Sequence, residues 1–462
     1  MITEDTTLPV EDPVHDAEDR LRPDFVREVV EDVREGRLEE ACALVAELHP
    51  ADRADLIELA EPEDRPALIG ALGSLLDADV YAEMNEHVRE LVVEEMEPEQ
   101  AAELTSDMDT DDAVALLEDL DAPDQRAILD AMEPDDRAAV EEALTFPEES
   151  AGRIMQRDLI AVPEHWNVGQ VIDYLRSDVE LADDFWEVFV VGPLHHPVGT
   201  TKLSTLLRTK RDVPIVDIMQ QEQTLIPVDM DQEQVALRFQ KYALISAAVI
   251  DDNGRLVGMV TVDDIVHIIE EEASEDALLL SGAGDGDINE PVAEAYRDRV
   301  RWLIANLGTA LLATFVIAQF EDTIARLAIL AALMPIVAAL GGNAGTQALA
   351  VTVRALATNQ LTGSNRARAI RREFLVALLN GVTIAVILGI GVGVVLDPMI
   401  GAVIAAAILF NIMVAGLAGV LVPVALDRLG ADPAVASSVF VTTVTDTIGF
   451  LAFLGLASAV LL

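Results

Sequence analysis

A chain of 462 residues with 82 Asp and Glu against 30 Lys and Arg has a formal charge of −52, which excludes a nucleic-acid partner because phosphate binding needs a basic surface. Only three lysines are present (Lys202, Lys210, Lys241). Such an acidic, lysine-poor, arginine-retaining surface is halophilic in character, suited to a salt-rich cytoplasm that screens its self-repulsion. The single Cys42 leaves no intramolecular disulfide, and the length allows about three domains.

Residues 1–22 are acidic and lack an apolar core, so they read as a disordered tail and not as a secretory signal. From His49 the chain falls into eight units of twelve, starting at His49, Glu61, Gly73, Asn85, Glu97, Asp109, Asp121 and Glu133, with Pro50, Pro62, Pro98 and Pro134 opening four of them. An N-capping residue before a proline at the first helical position, followed by an apolar stripe, predicts one short helix per unit. Such helices cannot bury their stripes alone, so residues 23–147 are expected to stack into an α-solenoid. Its acids read as caps and solvated faces. With no nucleophile–base pair and no metal-ligand spacing, it is a docking module and not an enzyme's active site.

Ile154-Met155-Gln156-Arg157 recurs as Ile218-Met219-Gln220-Gln221, with Pro163 matching Pro227 and Val171 matching Val235. This internal duplication of a strand–helix–strand–strand unit gives modules at 148–213 and 214–272. They resemble a pair of CBS modules. Gly258-Met259-Val260-Thr261-Val262-Asp263-Asp264 matches the stretch that in such modules holds an adenosine ribose and phosphate, which makes Thr261 and Asp264 candidates for an adenosine nucleotide such as ATP. The first copy lacks both side chains (Gly199 to Thr205), leaving at most one such site.

A connecting helix is expected to continue over 273–300 and to reach the membrane at Tyr296 to Trp302, where arginines and tryptophan mark a cytoplasmic interface. Apolar runs then cover Trp302–Phe320, Leu327–Ala357, Leu375–Leu396, Ile400–Val424 and Val435–Leu461, five spans at about 20 residues each. The second run is long and is expected to break at Gly341-Gly342-Asn343-Ala344-Gly345-Thr346-Gln347. Arginines at 354, 366, 368, 371 and 372 place the following loop, and with it the soluble part, in the cytoplasm and the C-terminus outside. Gly389, Gly393, Gly416 and Gly419 read as close-approach positions.

Of seven acids after Arg301, only Asp446 lies deep within an apolar run. A carboxylate there costs about 3 kcal/mol and faces a bundle interior or an ion pathway. Two readings stand: a carboxylate hydrogen-bonded to Thr442, Thr443 and Thr445 as helix glue, or an ion site. The absence of His and Cys from this part favours a hard cation such as Mg²⁺.

The whole order of helical repeat, two modules, linking helix and five spans, with Gly341 to Gln347, Asp432-Pro433-Ala434 and Thr442 to Asp446, resembles the MgtE family of magnesium channels. That resemblance implies a multidomain membrane protein with an α-solenoid, a CBS pair and a five-helix transmembrane domain. It also implies a homodimer in the cell membrane that imports Mg²⁺ and is gated by intracellular Mg²⁺. Asp446 would hold hydrated Mg²⁺, the Thr442 carbonyl and Asn343 would lie along the pore, and Asp231, Glu233, Asp264, Glu272 and Glu275 would sense Mg²⁺ inside the cell, with residues 273–300 as the plug. Ala243 and His267 stand where well-known members carry acids. The alternative, a nucleotide-regulated channel for other divalent cations or anions, is disfavoured for anions by the lone aspartate and the lack of intramembrane Arg or Lys.

Overall fold

The computed structural model describes residues 12–462 except 95, 178–180, 182–184, 283–285, 287 and 435–436. The chain divides into two compact units, Met1–Ile268 and Ile269–Leu462.

In the first unit, two helices, α1 (Pro23–Arg34) and α2 (Leu38–Val45), precede one helix for each unit of twelve: α3 (Pro50–Leu59), α4 (Arg65–Leu72), α5 (Ala78–Ala82), α6 (Glu86–Glu94), α7 (Pro98–Ser106), α8 (Thr110–Asp119), α9 (Ala122–Ala131) and α10 (Pro134–Ala143). Their stripes form a continuous interior, including Val29, Leu56, Ile57 and Val88 at one end and Leu116, Leu117 and Val140 at the other. The expected capping is only partly seen. His49 and Asp77 accept from the backbone of Ala51 and Val80, but Glu97, Asp109, Asp121 and Glu133 make no side-chain cap. At Glu97 and Glu133 an extended backbone followed by proline starts the helix, and Asp109 instead approaches Asp111 and Asp112.

The expected disordered tail is corrected from residue 12 onward; residues 1–11 lie outside the described residues. The His15 ring sits between Asp12 and Asp52 at 3.4 and 3.2 Å, Arg20 pairs with Asp16, and Leu21 and Val14 join the solenoid core. Local ion pairing and two apolar anchors suffice to order this piece.

The duplicated modules consist of β1 (Ala161–Pro163), α11 (Val168–Tyr174), β2 (Glu187–Val191), β3 (Pro197–Lys202) and α12 (Leu203–Arg208), then β4 (Leu225–Pro227), α13 (Gln232–Tyr242), β5 (Ser246–Ile250), β6 (Leu256–Thr261) and α14 (Val262–Ser281). Each sheet pairs its first two strands parallel and its last two antiparallel, with an irregularity at Val190/Val191 in one and Val249/Ile250 in the other. The repeated Met-Gln motif explains why β3 and β6 carry a glycine. A methyl on Gly258 would fall 2.7 Å from the Met155 sulfur, and one on Gly199 2.8 Å from that of Met219. Each copy's leading segment therefore docks on the other copy's sheet, bridged at Gln156–Met259 and Thr200–Gln220.

The second unit holds α15 (Val292–Ala318), α16 (Glu321–Arg326), α17 (Ile329–Ala357), α18 (Arg366–Val395), α19 (Pro398–Leu429) and α20 (Ser437–Leu461). Five of these are long and apolar enough to cross a membrane. Two expectations are corrected. The connecting helix is not continuous over 273–300: α14 ends at Ser281, Gly282 takes a positive φ of 69°, and α15 begins only at Val292. And α17 runs unbroken through Gly341 to Gln347. Gly341 and Gly345 serve packing instead: a methyl on Gly345 would lie 2.6 Å from Val441 of α20, and one on Gly419 of α19 would lie 2.7 Å from both Ala348 and the Gly345 carbonyl, whereas Gly342 faces open space. Gly389 and Gly416 likewise face Ala405 and Ala377 at such distances. The central helix is α19, half of whose most apolar stretch is buried against 6% for α15.

Candidate ion pathway and carboxylate clusters

Asp446 lies in the middle third of α20, half-buried. The neighbouring hydroxyls do not serve it. Thr442 donates to the Ser438 carbonyl at 2.8 Å, Thr443 to that of Val439 at 2.6 Å, and Thr445 to that of Thr442 at 3.0 Å. Each threonine thus satisfies itself on its own helix, and among the described residues no hydrogen-bond partner of the Asp446 carboxylate is seen. The helix-glue reading needs those bonds and loses its basis. Nearby on the same bundle, Asn343, Thr346 and Gln347 are exposed on α17, spaced three and four apart on one face, and Thr442 is exposed on α20. A polar face at this depth does not belong against lipid tails.

A second concentration of carboxylates lies in the first unit. Oxygens of Asp109, Asp111 and Asp112, at the start of α8, lie within 4.8 Å of one another. The charge of Asp264, at the start of α14, adds to the field on Asp111 and Asp112. Burial, reinforced by Asp264 and Asp109, pushes the Asp112 carboxyl up to about 7, and Asp111 rises well above the carboxylate range for the same reason. Asp264 is pushed up to about 6 by burial, partly opposed by the Thr261 hydroxyl that donates to it and reinforced by Asp263 and Asp109. Gln156 donates to the same Asp264 oxygen at 3.2 Å. Crowded, buried carboxylates with few cationic partners are the donor set a hard divalent cation takes.

Thr261 and Asp264, the expected nucleotide residues, are hydrogen-bonded to each other, and the charge of Asp264 acts on Asp111 and Asp112 of α8. A cavity of about 370 Å³ lies elsewhere in the module pair, lined by Glu187, Thr200 and Lys202 of the first copy and Thr224, Tyr242 and Ser246 of the second.

Comparison with known proteins decides the kinship. The profile of the MgtE divalent cation transporters matches residues 334–456, that of the MgtE intracellular N domain residues 48–149, and that of the CBS domain residues 215–271. The magnesium transporter MgtE of Enterococcus faecalis is 36% identical over 437 residues, 93% of this chain and 96% of its own. That of Bacillus subtilis is 31% identical over 68% of this chain and 70% of its own. The chain belongs to the MgtE family. Among solved structures, the cytosolic domain of the Mg²⁺ channel MgtE in complex with ATP covers 53% of this chain and 99% of its own, at 26% identity and a TM-score of 0.49.

As an MgtE-family chain it is a transporter and not an enzyme. Its expected sensor residues fall as follows. Asp231 caps α13 by accepting from the Gln234 backbone at 3.3 Å, and Glu233 stands in the same first turn. Glu272 and Glu275 share one face of α14. The Thr442 carbonyl is engaged by the Thr445 hydroxyl. Sequence reasoning missed three features. Asp109, Asp111 and Asp112 were read as solvated caps. Asp276 of α14 faces Asp432 of the α19–α20 connection, and burial together with that charge raises its carboxyl. In the same region Leu279 and Leu280 pack against Leu349, Val353 and Val441, of which Val441 stands five residues before Asp446 on α20. The third is Asn411, buried in α19. The Asp432 signal was present in Asp432-Pro433-Ala434, which was used only for kinship.

Proposed function

We propose that this chain is a Mg²⁺-selective channel that imports Mg²⁺ as a symmetric homodimer in the cell membrane, with the soluble part in the cytoplasm and the C-terminus outside. The observation that carries the reading is the Asp446 carboxylate, for which no hydrogen-bond partner is seen among the described residues, in the middle third of α20 and on the same bundle as an exposed polar face of α17. A second copy over that face would shield it from lipid and set two carboxylates across a two-fold axis. Two like charges repel there unless a divalent cation lies between them, and a site of few carboxylates lined by amide and hydroxyl groups suits Mg²⁺ that keeps its water shell. The orientation rests on the arginines at the adjoining ends of α17 and α18 against Glu321, Asp322 and Asp397 at the opposite ends of the spans.

Cytoplasmic Mg²⁺ closes this channel by drawing carboxylates together: Asp109, Asp111, Asp112 and Asp264 within the first unit, and Asp276 with Asp432 beside α20 in the second. Asp231, Glu233, Glu272 and Glu275 are further ligands of the same kind. An adenosine nucleotide, where one binds, occupies the cavity lined by Lys202, with that lysine as its phosphate partner, and not the Thr261–Asp264 turn.

The test is Asp446→Asn in the purified full chain in liposomes. Mg²⁺ flux should fall to background with Na⁺ flux remaining, at an unchanged melting temperature. Retained preference for Mg²⁺ over Na⁺ would overturn the reading.

A further inference from the structure

Asn411 sits near the midpoint of α19, 1% exposed, an amide at the depth where hydrocarbon is driest. Its Nδ2 donates to the Val337 carbonyl of α17 at 3.1 Å, while its Oδ1 finds no partner among the described residues. Two glycines make room for it. A methyl on Gly341 of α17 would fall 2.2 Å from Nδ2, and one on Gly449 of α20 would fall 2.6 Å from Nδ2 and 3.0 Å from Oδ1. One side chain thus fills the gap at which three helices meet, and neither glycine can gain a carbon without displacing it. With only Cα hydrogens facing it, Oδ1 is left to weak C–H···O contacts. A leucine would fill the same volume without leaving a polar atom unpaired, so packing alone does not explain the amide.

Gly449 lies one helical turn from Asp446. Thr445, next to Asp446, is fully buried and, like Val441, approaches Gly345 of α17. The spacing and rotation of α20 relative to α17 are therefore set on one side by Gly345 and on the other by Asn411. We propose that Asn411 is a positioning residue for the ion pathway: its amide, hydrogen-bonded to α17 and wedged against Gly449 of α20, fixes where Asp446 stands. This rests on Asp446 being the ion site. Interhelical hydrogen bonds in membranes contribute about 0.6–1.7 kcal/mol, so loss of the amide should weaken apparent Mg²⁺ affinity by about three- to seventeenfold.

Purified full-length protein in liposomes, assayed for Mg²⁺ and Na⁺ flux beside its melting temperature, tests this with Asn411→Leu, Gly449→Ala, and the pair Asn411→Ala with Gly449→Ala. Asn411→Leu should keep the melting temperature while raising the Mg²⁺ concentration for half-maximal flux and lowering the Mg²⁺ to Na⁺ flux ratio. Gly449→Ala should show the same shift, and shrinking Asn411 beside it should recover packing but not affinity. In an Asp446→Asn background, Asn411→Leu should leave the residual monovalent flux unchanged. A lowered melting temperature with unaltered Mg²⁺ affinity in Asn411→Leu would make the amide a packing element only and sink the proposal. Should Asn411→Leu fail to fold, unaltered affinity in Gly449→Ala would do the same. If Asp446→Asn itself keeps its Mg²⁺ preference, the ion-site reading fails instead, and the two failures are told apart.

Discussion

Replacing Asp112 by Asn removes one charge from the α8 carboxylates while keeping shape. The Asp112 carboxyl stands at about 7 against an ordinary 3.8, a displacement that corresponds to about 4 kcal/mol between its protonated and ionised forms. Because Asp264 is raised as well, to about 6, part of that energy belongs to the pair and not to either residue. A raised folded-state value means that the folded chain holds protons the unfolded chain has released between about pH 4 and 7. Stability in the absence of Mg²⁺ therefore falls as pH rises through that window and is lowest above it. Asp112→Asn should accordingly stabilise the Mg²⁺-free protein at pH 8 by about 2–4 kcal/mol and have little effect at pH 4, where Asp112 is already protonated. Mg²⁺ acts oppositely on the two proteins. At a hundredfold excess over its dissociation constant it should stabilise the unmodified chain by about 2.7 kcal/mol and the variant by much less. Urea unfolding of the detergent-purified protein, at pH 8 and pH 4 with constant KCl and with or without Mg²⁺, measures all four quantities. A variant less stable than the unmodified chain at pH 8 without Mg²⁺, or one that keeps the full Mg²⁺ gain, would refute the argument.

Three other outcomes follow from the same geometry. Glu272→Gln with Glu275→Gln should leave Mg²⁺ flux running at cytoplasmic-side Mg²⁺ levels that shut the unmodified channel; closure at the same concentration would remove these two from the sensor. If ATP raises the melting temperature, Lys202→Ala should abolish that rise and Thr261→Ala should not, the reverse result returning the nucleotide to the Thr261–Asp264 turn. Gly419→Leu, whose first added carbon already meets Ala348 and the Gly345 carbonyl, should lower membrane-domain stability by about 1–3 kcal/mol, read as a loss of folded protein on gel filtration in detergent.

The solenoid and the module pair were legible because each repeats. A twelve-residue period fixes a helix per unit, and a duplicated Met-Gln motif fixes a duplicated sheet. Asp446 was legible because a lone carboxylate stands out against an apolar run. The α8 cluster was not, and the repeat itself hid it. The fourth residue of five units is aspartate (Asp52, Asp64, Asp112, Asp124, Asp136), yet Asp52 pairs with His15, Asp64 with Arg34, and Asp112 meets Asp264. Identical local sequence positions acquire different chemistry from partners distant in the chain, His15 and Arg34 within the helical part and Asp264 in the second module, which no period encodes. The unbroken α17 was misread for a related reason. Glycine in a helix costs about 1 kcal/mol against alanine, and the close approach of α19 and α20 that Gly341 and Gly345 permit offsets it, which the local sequence cannot reveal.

The two carboxylate sites also differ in number for a physical reason. Outside the membrane, a chain with a net charge of −52 stays compact only where salt screens it, and at 1 M salt the screening length is about 3 Å. Repulsion between acids spread over the surface then carries little information about Mg²⁺. Carboxylates crowded into a partly buried cluster, where mobile ions screen them less, respond more sharply to one divalent ion. Asp109, Asp111 and Asp112 have oxygens within 4.8 Å of one another, with Asp111 buried and Asp112 half-buried, and the charge of Asp264 acts on both Asp111 and Asp112. Within the bilayer the surrounding hydrocarbon has a low dielectric, and the field of one carboxylate reaches farther across a pathway than it would at a salt-bathed surface. On the proposed reading, a single Asp446 per chain would serve in the bilayer where several acids serve in the soluble part, provided its position is held by the tight contacts that α20 makes at Gly345 and Asn411.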